Sequence, residues 1–91
     1  MSHSPDRIEP NARLDTQGQS AAWAILCAER AVEELEPGQV LEVRVSDPQL
    51  AEDLPRILRR RGDILLAARQ GDGEWQLYVR RGPARPERSA D

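Results

Sequence analysis

The sequence predicts an α/β fold of the two-layer α+β kind, in which a four-stranded mixed sheet carries both helices on one face. Short stretches alternate apolar and polar residues, as in strands with one buried face. Two longer stretches have helical spacing, and glycines and prolines separate the segments. The predicted order is therefore βαβαββ. Because the strands alternate instead of being apolar throughout, helices on one face only are favoured.

The first unit is a short strand beginning at Ala12, a tight glycine turn and a helix over residues 21–36. Leu14 is apolar between charged neighbours, which indicates a half-buried strand. Gly18 permits a turn that a side chain would resist. Ser20 is suited to cap the helix by accepting a hydrogen bond from a free backbone N–H. The helix has a narrow, alanine-rich apolar stripe: Ala21, Ala24, Ile25, Ala28, Ala31, Val32 and Leu35.

The second helix begins after a strong capping signal. Asp47 is a good N-cap, and Pro48 suits the first helical position. Pro55 removes a backbone hydrogen bond from a helix interior. We therefore expect a break before it and a restart near Asp53, which would act as a second cap, with the helix continuing to Arg61.

Three further strands complete the predicted sheet. Residues 40–45 alternate clearly, and the short links around the first helix predict that this strand runs parallel to the first one. Residues 63–69 and 74–81 form a hairpin around a loop at residues 70–73. In the last strand Trp75, Leu77 and Val79 are predicted to face inward, and Gln76, Tyr78 and Arg80 outward.

Length and composition predict one soluble, cytoplasmic domain. Residues 1–11 and 83–91 are poor in apolar residues and are expected to be flexible tails around a folded domain over residues 12–82. No apolar run reaches the roughly 20 residues of a membrane span, and the first residues lack a signal-peptide core. A single cysteine and His3, in a polar tail, make neither a disulfide nor a metal site, and no cofactor is predicted.

Charge is distributed unevenly along the chain. Residues 1–54 hold 4 arginines against 11 acids, whereas residues 55–91 hold 9 arginines against 5 acids. Biased codon usage is the simplest explanation, since every basic residue is arginine. The alternative is a basic patch for RNA or an acidic partner. A nucleic-acid-binding module is the least supported reading, because Tyr78 and Trp75 are the only stacking residues near the patch. The patch would comprise Arg56, Arg59, Arg60, Arg61, Arg80 and Arg81.

The chain resembles the TusA/SirA-like sulfur-carrier family over about residues 13–82. Three stretches carry the resemblance: Leu14-Asp15-x-x-Gly18, Asp47-Pro48-x-x-x-x-Asp53-Leu54-Pro55 and Tyr78-Val-Arg-Arg-Gly82. The family's site is a Cys-Pro-x-Pro motif just after the first glycine, and its cysteine carries sulfur as a persulfide. The start of a helix suits this chemistry, because the dipole and free N–H groups there favour a thiolate.

The sequence departs from the family at this motif. Aligned on Gly18, the motif becomes Ala21-Ala22-Trp23-Ala24, so the cysteine and both prolines are replaced by alanines. The resemblance therefore implies a non-catalytic binding or regulatory partner of a sulfur-relay protein. Its binding surface would comprise Gly18, Ser20, Ala21 and Trp23.

Two other residues of the first helix leave alternatives open. Cys27, the only thiol, lies nearly two turns into the helix at the edge of the apolar stripe. It is either a small packing residue or a displaced sulfur carrier. Trp23 lies far from the stripe and either packs under residues 1–11 or a loop, or anchors a binding partner. We expect Trp23, Ala21 and Leu26 to form an accessible apolar patch for a partner or a second copy of the chain.

Overall fold

The computed structural model describes residues 8–83, and the outer parts of both predicted tails lie outside the described residues. The elements follow the predicted order βαβαββ, in which each of the first two strands is followed by a helix and the last two strands form a hairpin. The elements are β1 Ala12–Asp15, α1 Ala21–Glu33, β2 Val40–Val45, α2 Pro48–Arg60, β3 Ile64–Gly71 and β4 Glu74–Arg80.

The four strands form one mixed sheet in the order β1-β2-β4-β3. Strand β1 runs parallel to β2, as the short βαβ links predicted, with Leu14 opposite Val43. Strand β4 runs antiparallel to both β2 and β3. The pairing reaches back to Asn11, whose backbone N–H donates to the Val40 carbonyl at 2.8 Å, while its side-chain oxygen accepts from the Val40 N–H at 2.8 Å.

Both helices pack on one face of the sheet, which confirms the two-layer prediction. Inward residues of the central strands interleave with one stripe of each helix, and the buried cluster contains Ala24, Ala28, Val32, Leu35, Leu41, Val43, Val45, Leu50, Leu54, Leu58, Leu77 and Val79. The other face carries polar side chains in register across all four strands: Asp15, Arg44, Gln76 and Arg69. Tyr78 also lies on this face, as predicted, and the Arg69 guanidinium lies 5.5 Å from the centroid of its ring.

Helix α1 ends three residues earlier than its sequence predicted. It stops at Glu33, and the Leu35 N–H bonds to the Val32 carbonyl at 3.0 Å, a tightened turn that closes the helix. The Arg81 guanidinium donates to the carbonyls of Glu33 and Leu35. A side chain from the far end of the chain therefore satisfies the helix end. The placement of Ala21 in the buried stripe is also wrong, because the first turn of α1 is exposed.

Helix α2 is continuous through Pro55, so the predicted break is wrong. Asp53 is not a cap, because it lies inside the helix and accepts a hydrogen bond from the Gln49 side chain at 3.2 Å. One internal proline costs about 3 kcal/mol. Each fully buried leucine contributes about 1.5–3 kcal/mol, and an unbroken helix buries three of them on one stripe: Leu50, Leu54 and Leu58.

The start of α2 and the turn of the hairpin are both determined by residues close together in the sequence. Asp47 caps α2 as predicted, since its carboxylate accepts from the Gln49 N–H at 3.0 Å, and Pro48 occupies the first position. The hairpin loop is shorter than predicted. Strand β3 extends to Gly71, and only Asp72 and Gly73 turn, with φ of 53° and 76°. Positive φ at both residues is the geometry of the type I′ turn, one of the two turns that two-residue hairpins favour.

Candidate functional site

The loop between β1 and α1 is held firmly on the sheet by Thr16. This side chain is 3% exposed, and its hydroxyl donates to the Arg44 carbonyl at 2.7 Å. The Thr16 N–H donates to the same carbonyl at 3.0 Å. The chain then turns at Gly18, where φ is +81°, and the Gln19 N–H closes the turn on the Thr16 carbonyl at 3.1 Å. The predicted glycine turn is therefore present and anchored at its start.

A polar contact ties the same loop to the far hairpin. The Gln17 side-chain amide donates to Glu74 Oε1 at 3.0 Å, and Arg44 donates to Glu74 Oε2 at 2.9 Å. The hydrogen bond and negative charge of Glu74 raise the pKa of the Arg44 guanidinium. One carboxylate thus connects the loop, β2 and β4, and it limits how far the loop can move away from the sheet.

Helix α1 begins directly after this loop. Ser20 is its N-cap, as predicted, with its hydroxyl oxygen accepting from the Trp23 N–H at 3.2 Å. Ala21, Ala22 and Trp23 are all exposed, and Ala24 is the first buried residue. The first turn contains no acidic residue. Exposed backbone N–H groups at a helix start favour negative charge. A thiol at the first position of α1 would therefore be favoured as a thiolate, but that position is occupied by Ala21.

A shallow apolar groove runs along α1 from its first turn. Its volume is about 340 Å³, and it is lined by Trp23, Leu26, Cys27, Arg30, Ala31 and Glu34. Trp23 is 55% exposed and Leu26 is 41% exposed. The predicted patch of Trp23, Ala21 and Leu26 is therefore accessible, and none of residues 8–83 buries Trp23. That a partner occupies this patch stays a prediction.

Cys27 lies in this groove and is half-buried, as its place at the edge of the stripe predicted. It lies six residues after Ala21, which corresponds to about 9 Å along the helix axis. At that distance the terminal N–H groups of α1 no longer act on its sulfur, because the effect of the helix dipole is confined to the first turn.

The predicted basic patch is divided by the fold. Arg61 bonds to Glu33 at 2.8 Å, and Arg81 satisfies the end of α1. Arg80 projects from the open face of the sheet, because Val79 beside it is in the core. Arg56 and its neighbours belong to α2, which covers the other face. These arginines therefore do not form one continuous surface.

The sequence did not identify the residues that support the loop. Thr16, Gln17, Arg44 and Glu74 meet only because β1, β2 and β4 are neighbours in the sheet. The outward position of Arg44 on an alternating strand was the only available signal.

Within residues 8–83 no three histidine, cysteine or acidic side chains are grouped to hold a metal ion. Over the same residues no helix is long and apolar enough to cross a membrane.

Comparison with known proteins points to one family. A SirA-like protein from Desulfitobacterium hafniense, known from a crystal structure, superposes with a TM-score of 0.70 over 79% of this chain and 99% of that one, at 23% identity. The sulfur carrier protein TusA of Pseudomonas aeruginosa is 27% identical over 89% of this chain and 96% of its own length. A candidate sulfur carrier of Thermotoga maritima is 28% identical over 74% of this chain and 86% of its own length.

The D. hafniense likeness, at 23% identity, is one of fold alone, and it supports the α+β architecture of the described residues. The family model described as sulfurtransferase TusA matches residues 12–81, which is most of the chain. The chain therefore belongs to the sulfurtransferase TusA family.

Proposed function

We propose that this chain is a TusA-family protein that binds a sulfur-relay component through the β1–α1 loop and the start of α1, without carrying sulfur itself. One observation supports this most directly. The Gly18 turn and Ser20 cap are built as a carrier site needs them, yet the exposed first helical residue is Ala21. The turn and the cap that would present a thiol are both present, and residue 21 has no sulfur atom.

The chemistry of sulfur transfer explains why Ala21 favours binding over transfer. A receiving thiolate attacks the terminal sulfur of a donor persulfide, a new S–S bond forms, and the donor leaves as its own thiolate. A methyl group offers no electron pair for this step. The Ser20 hydroxyl cannot hold persulfide sulfur either, and its oxygen already accepts from the Trp23 N–H.

Trp23 supplies the contact that a binding role needs. Large apolar side chains such as Trp are enriched at the centres of interfaces, where they commonly contribute 2 kcal/mol or more. Trp23 is 55% exposed in the first turn of α1. We propose a cytoplasmic sulfur-relay protein as the partner, since the family acts between proteins of one relay.

A sulfur carrier that uses Cys27 is the second candidate function. The observation that favours it is that Cys27 lines an open groove instead of lying in the core. It ranks below the first proposal because Cys27 lies about 9 Å along the axis from the start of α1. Nucleic-acid binding is not proposed, because the fold separates the arginines on which it depended.

Intact mass after incubation with a cysteine desulfurase and cysteine tests the proposal. We expect no gain for the wild-type chain. The matched variant is Ala21→Cys in a Cys27→Ser background, which restores the family thiol at the start of α1, and we expect it to gain one sulfur. A gain by the wild-type chain that Cys27→Ser abolishes would establish the second candidate instead. No gain by the restored variant would count against a retained docking surface.

Capture of the partner from cell extract tests binding separately from chemistry. We expect the wild-type chain to retain a sulfur-relay protein and Trp23→Ala to retain far less of it. Trp75→Phe serves as the matched control, because Trp75 packs against the core on another element. Equal capture by the wild-type chain and the Trp23→Ala variant would refute the proposed surface.

A further inference from the structure

One side chain joins the exposed part of the β1–α1 loop to a distant part of the chain. Thr16 is buried and bonded to β2, whereas residues 17–20 are all exposed. Within residues 8–83, the hydrogen bonds of residues 18–20 join only groups a few positions apart in the sequence. The Gln17 side chain alone reaches further, to Glu74 Oε1 at 3.0 Å, across 57 positions. Among the described residues, this bond is the only hydrogen bond that fixes the exposed part of the loop to another element.

Glu74 is itself held in a fixed position. It is the first residue of β4 and directly follows the two-residue turn of the hairpin. Its second carboxylate oxygen, Oε2, accepts from the Arg44 guanidinium at 2.9 Å, and its side chain is only 21% exposed. Both oxygens are thus engaged, so the oxygen that faces Gln17 cannot turn away without breaking an ion pair.

Arg44 closes these contacts into a ring. Its backbone carbonyl accepts from the N–H and the hydroxyl of Thr16 at 3.0 and 2.7 Å. Its guanidinium holds the carboxylate of Glu74 that binds Gln17. One residue of β2 therefore holds two consecutive loop residues, the first directly and the second through Glu74. Loss of the second contact leaves Thr16 in place and releases the exposed residues that follow it.

The chain after Gln17 has no other distant support before the core of α1. Gly18 has φ of +81°, and a glycine backbone is more permissive than that of any other residue. Helix α1 joins the buried cluster from Ala24 onward. Without the bond to β4, the segment between Thr16 and Ala24 can pivot and carry the first turn of α1 with it.

We propose that Glu74 is a positioning residue of the docking surface formed by the β1–α1 loop and the start of α1, and that it holds this loop in the conformation a partner recognises. It acts through Gln17 and is not itself assigned to the docking surface. A partner that binds a loop already held in place does not have to order it, so less conformational entropy is lost on binding. The effect on docking rests on the proposed function, whereas the effect on the loop is measured on the isolated protein.

Amide hydrogen exchange of the isolated chain tests the hold on the loop. The reporter is the Gln19 N–H, which bonds to the Thr16 carbonyl at 3.1 Å. Gln17→Ala and Glu74→Ala should each accelerate its exchange roughly fivefold, as expected for the loss of one hydrogen bond. The double variant should exchange no faster than either single variant, because both remove the same bond. Asp72→Asn removes an equal charge from the same hairpin, at an exposed residue without a hydrogen bond to residues 8–83, and should leave exchange unchanged.

A reversal of the bond's polarity distinguishes positioning from a general loss of stability. Gln17→Glu alone should also accelerate exchange, because it brings two carboxylates together. Adding Glu74→Gln to this variant should restore slow exchange, since the amide at residue 74 then donates to the carboxylate at residue 17. No recovery in the double variant would contradict the proposed contact.

Sulfur loading of the Ala21→Cys, Cys27→Ser chain by a cysteine desulfurase tests the effect on docking. Adding Gln17→Ala should raise the chain concentration needed for half-maximal loading roughly fivefold, with the maximal rate nearly unchanged. Unaltered exchange in Gln17→Ala overturns the proposal, as does faster exchange with unaltered loading. If the Ala21→Cys, Cys27→Ser chain gains no sulfur at all, the proposed function fails and the effect on docking fails with it, whereas the exchange rates still decide whether Glu74 holds the loop.

Discussion

Gly82 is the position at which the smallest change should have the largest effect on stability. A Cβ added there would lie 2.0 Å from the Gly62 carbonyl oxygen and 2.9 Å from the Gly62 carbonyl carbon. Nonbonded heavy atoms attract at roughly 3.5–4.0 Å, so these contacts are strongly repulsive. The obstacle is backbone at the end of α2, which cannot rotate away like a flexible side chain. Gly82→Ala must therefore move one chain segment away from the other.

The magnitude follows from two contributions. Overpacking of this kind typically costs about 1–3 kcal/mol. The displacement also breaks a buried hydrogen bond, in which the Gly82 N–H donates to Asp63 Oδ1 at 3.0 Å. A hydrogen bond to a charged group contributes about 1.5–3 kcal/mol. The expected loss is about 3–5 kcal/mol, which is most of the free energy of unfolding of a small domain.

Urea denaturation, followed by tryptophan fluorescence, measures the effect, and two other glycines provide the comparison. Gly71 has no atom within 4 Å of an added Cβ and no positive φ, so Gly71→Ala should be nearly neutral. Gly18 also has free space, but its φ is +81°, and Gly18→Ala should cost about 1 kcal/mol from the backbone alone. With a slope of about 1 kcal/mol per molar urea, Gly82→Ala should lower the midpoint by about 3–5 M or unfold the protein outright. A midpoint for Gly82→Ala equal to that of Gly71→Ala would refute the reasoning.

Three further predictions concern the supports of the candidate site. Arg81→Ala should lower the free energy of unfolding by about 1–2 kcal/mol, because it leaves the carbonyls at the end of α1 without their donor; the neighbouring Arg80→Ala should stay within about 0.5 kcal/mol of wild type in the same thermal or urea titration. Thr16→Val keeps the shape of the side chain but removes its 2.7 Å bond to the Arg44 carbonyl, and should cost about 1 kcal/mol by chemical denaturation. Gly18→Val should destabilise by 1 kcal/mol or more, well beyond Cys27→Ser, and equal urea midpoints for those two variants would show that the turn does not depend on its glycine.

Local signals in the sequence were sufficient for most of the secondary structure. The alternation in residues 40–45 predicted β2 with its observed bounds, and Asp47 with Pro48 located the start of α2. Ser20 likewise located the start of α1, because capping depends on atoms a few residues apart. The absence of a cysteine at residue 21 and the outward direction of Trp23 also followed from the sequence and its periodicity.

Tertiary structure decided what depends on groups distant in the chain. Helix α2 passes through Pro55 because an unbroken helix buries Leu50, Leu54 and Leu58 against the sheet. The free energy of that burial depends on contacts with other elements, so the local sequence around Pro55 does not predict it. Helix α1 stops at Glu33 where Arg81, from the end of β4, reaches its carbonyls. The support of the β1–α1 loop by Arg44 and Glu74 exists only because three strands are neighbours. Local hydrogen bonds can be predicted from spacing along the chain, whereas these contacts join residues about thirty to nearly sixty positions apart and form only when the sheet assembles.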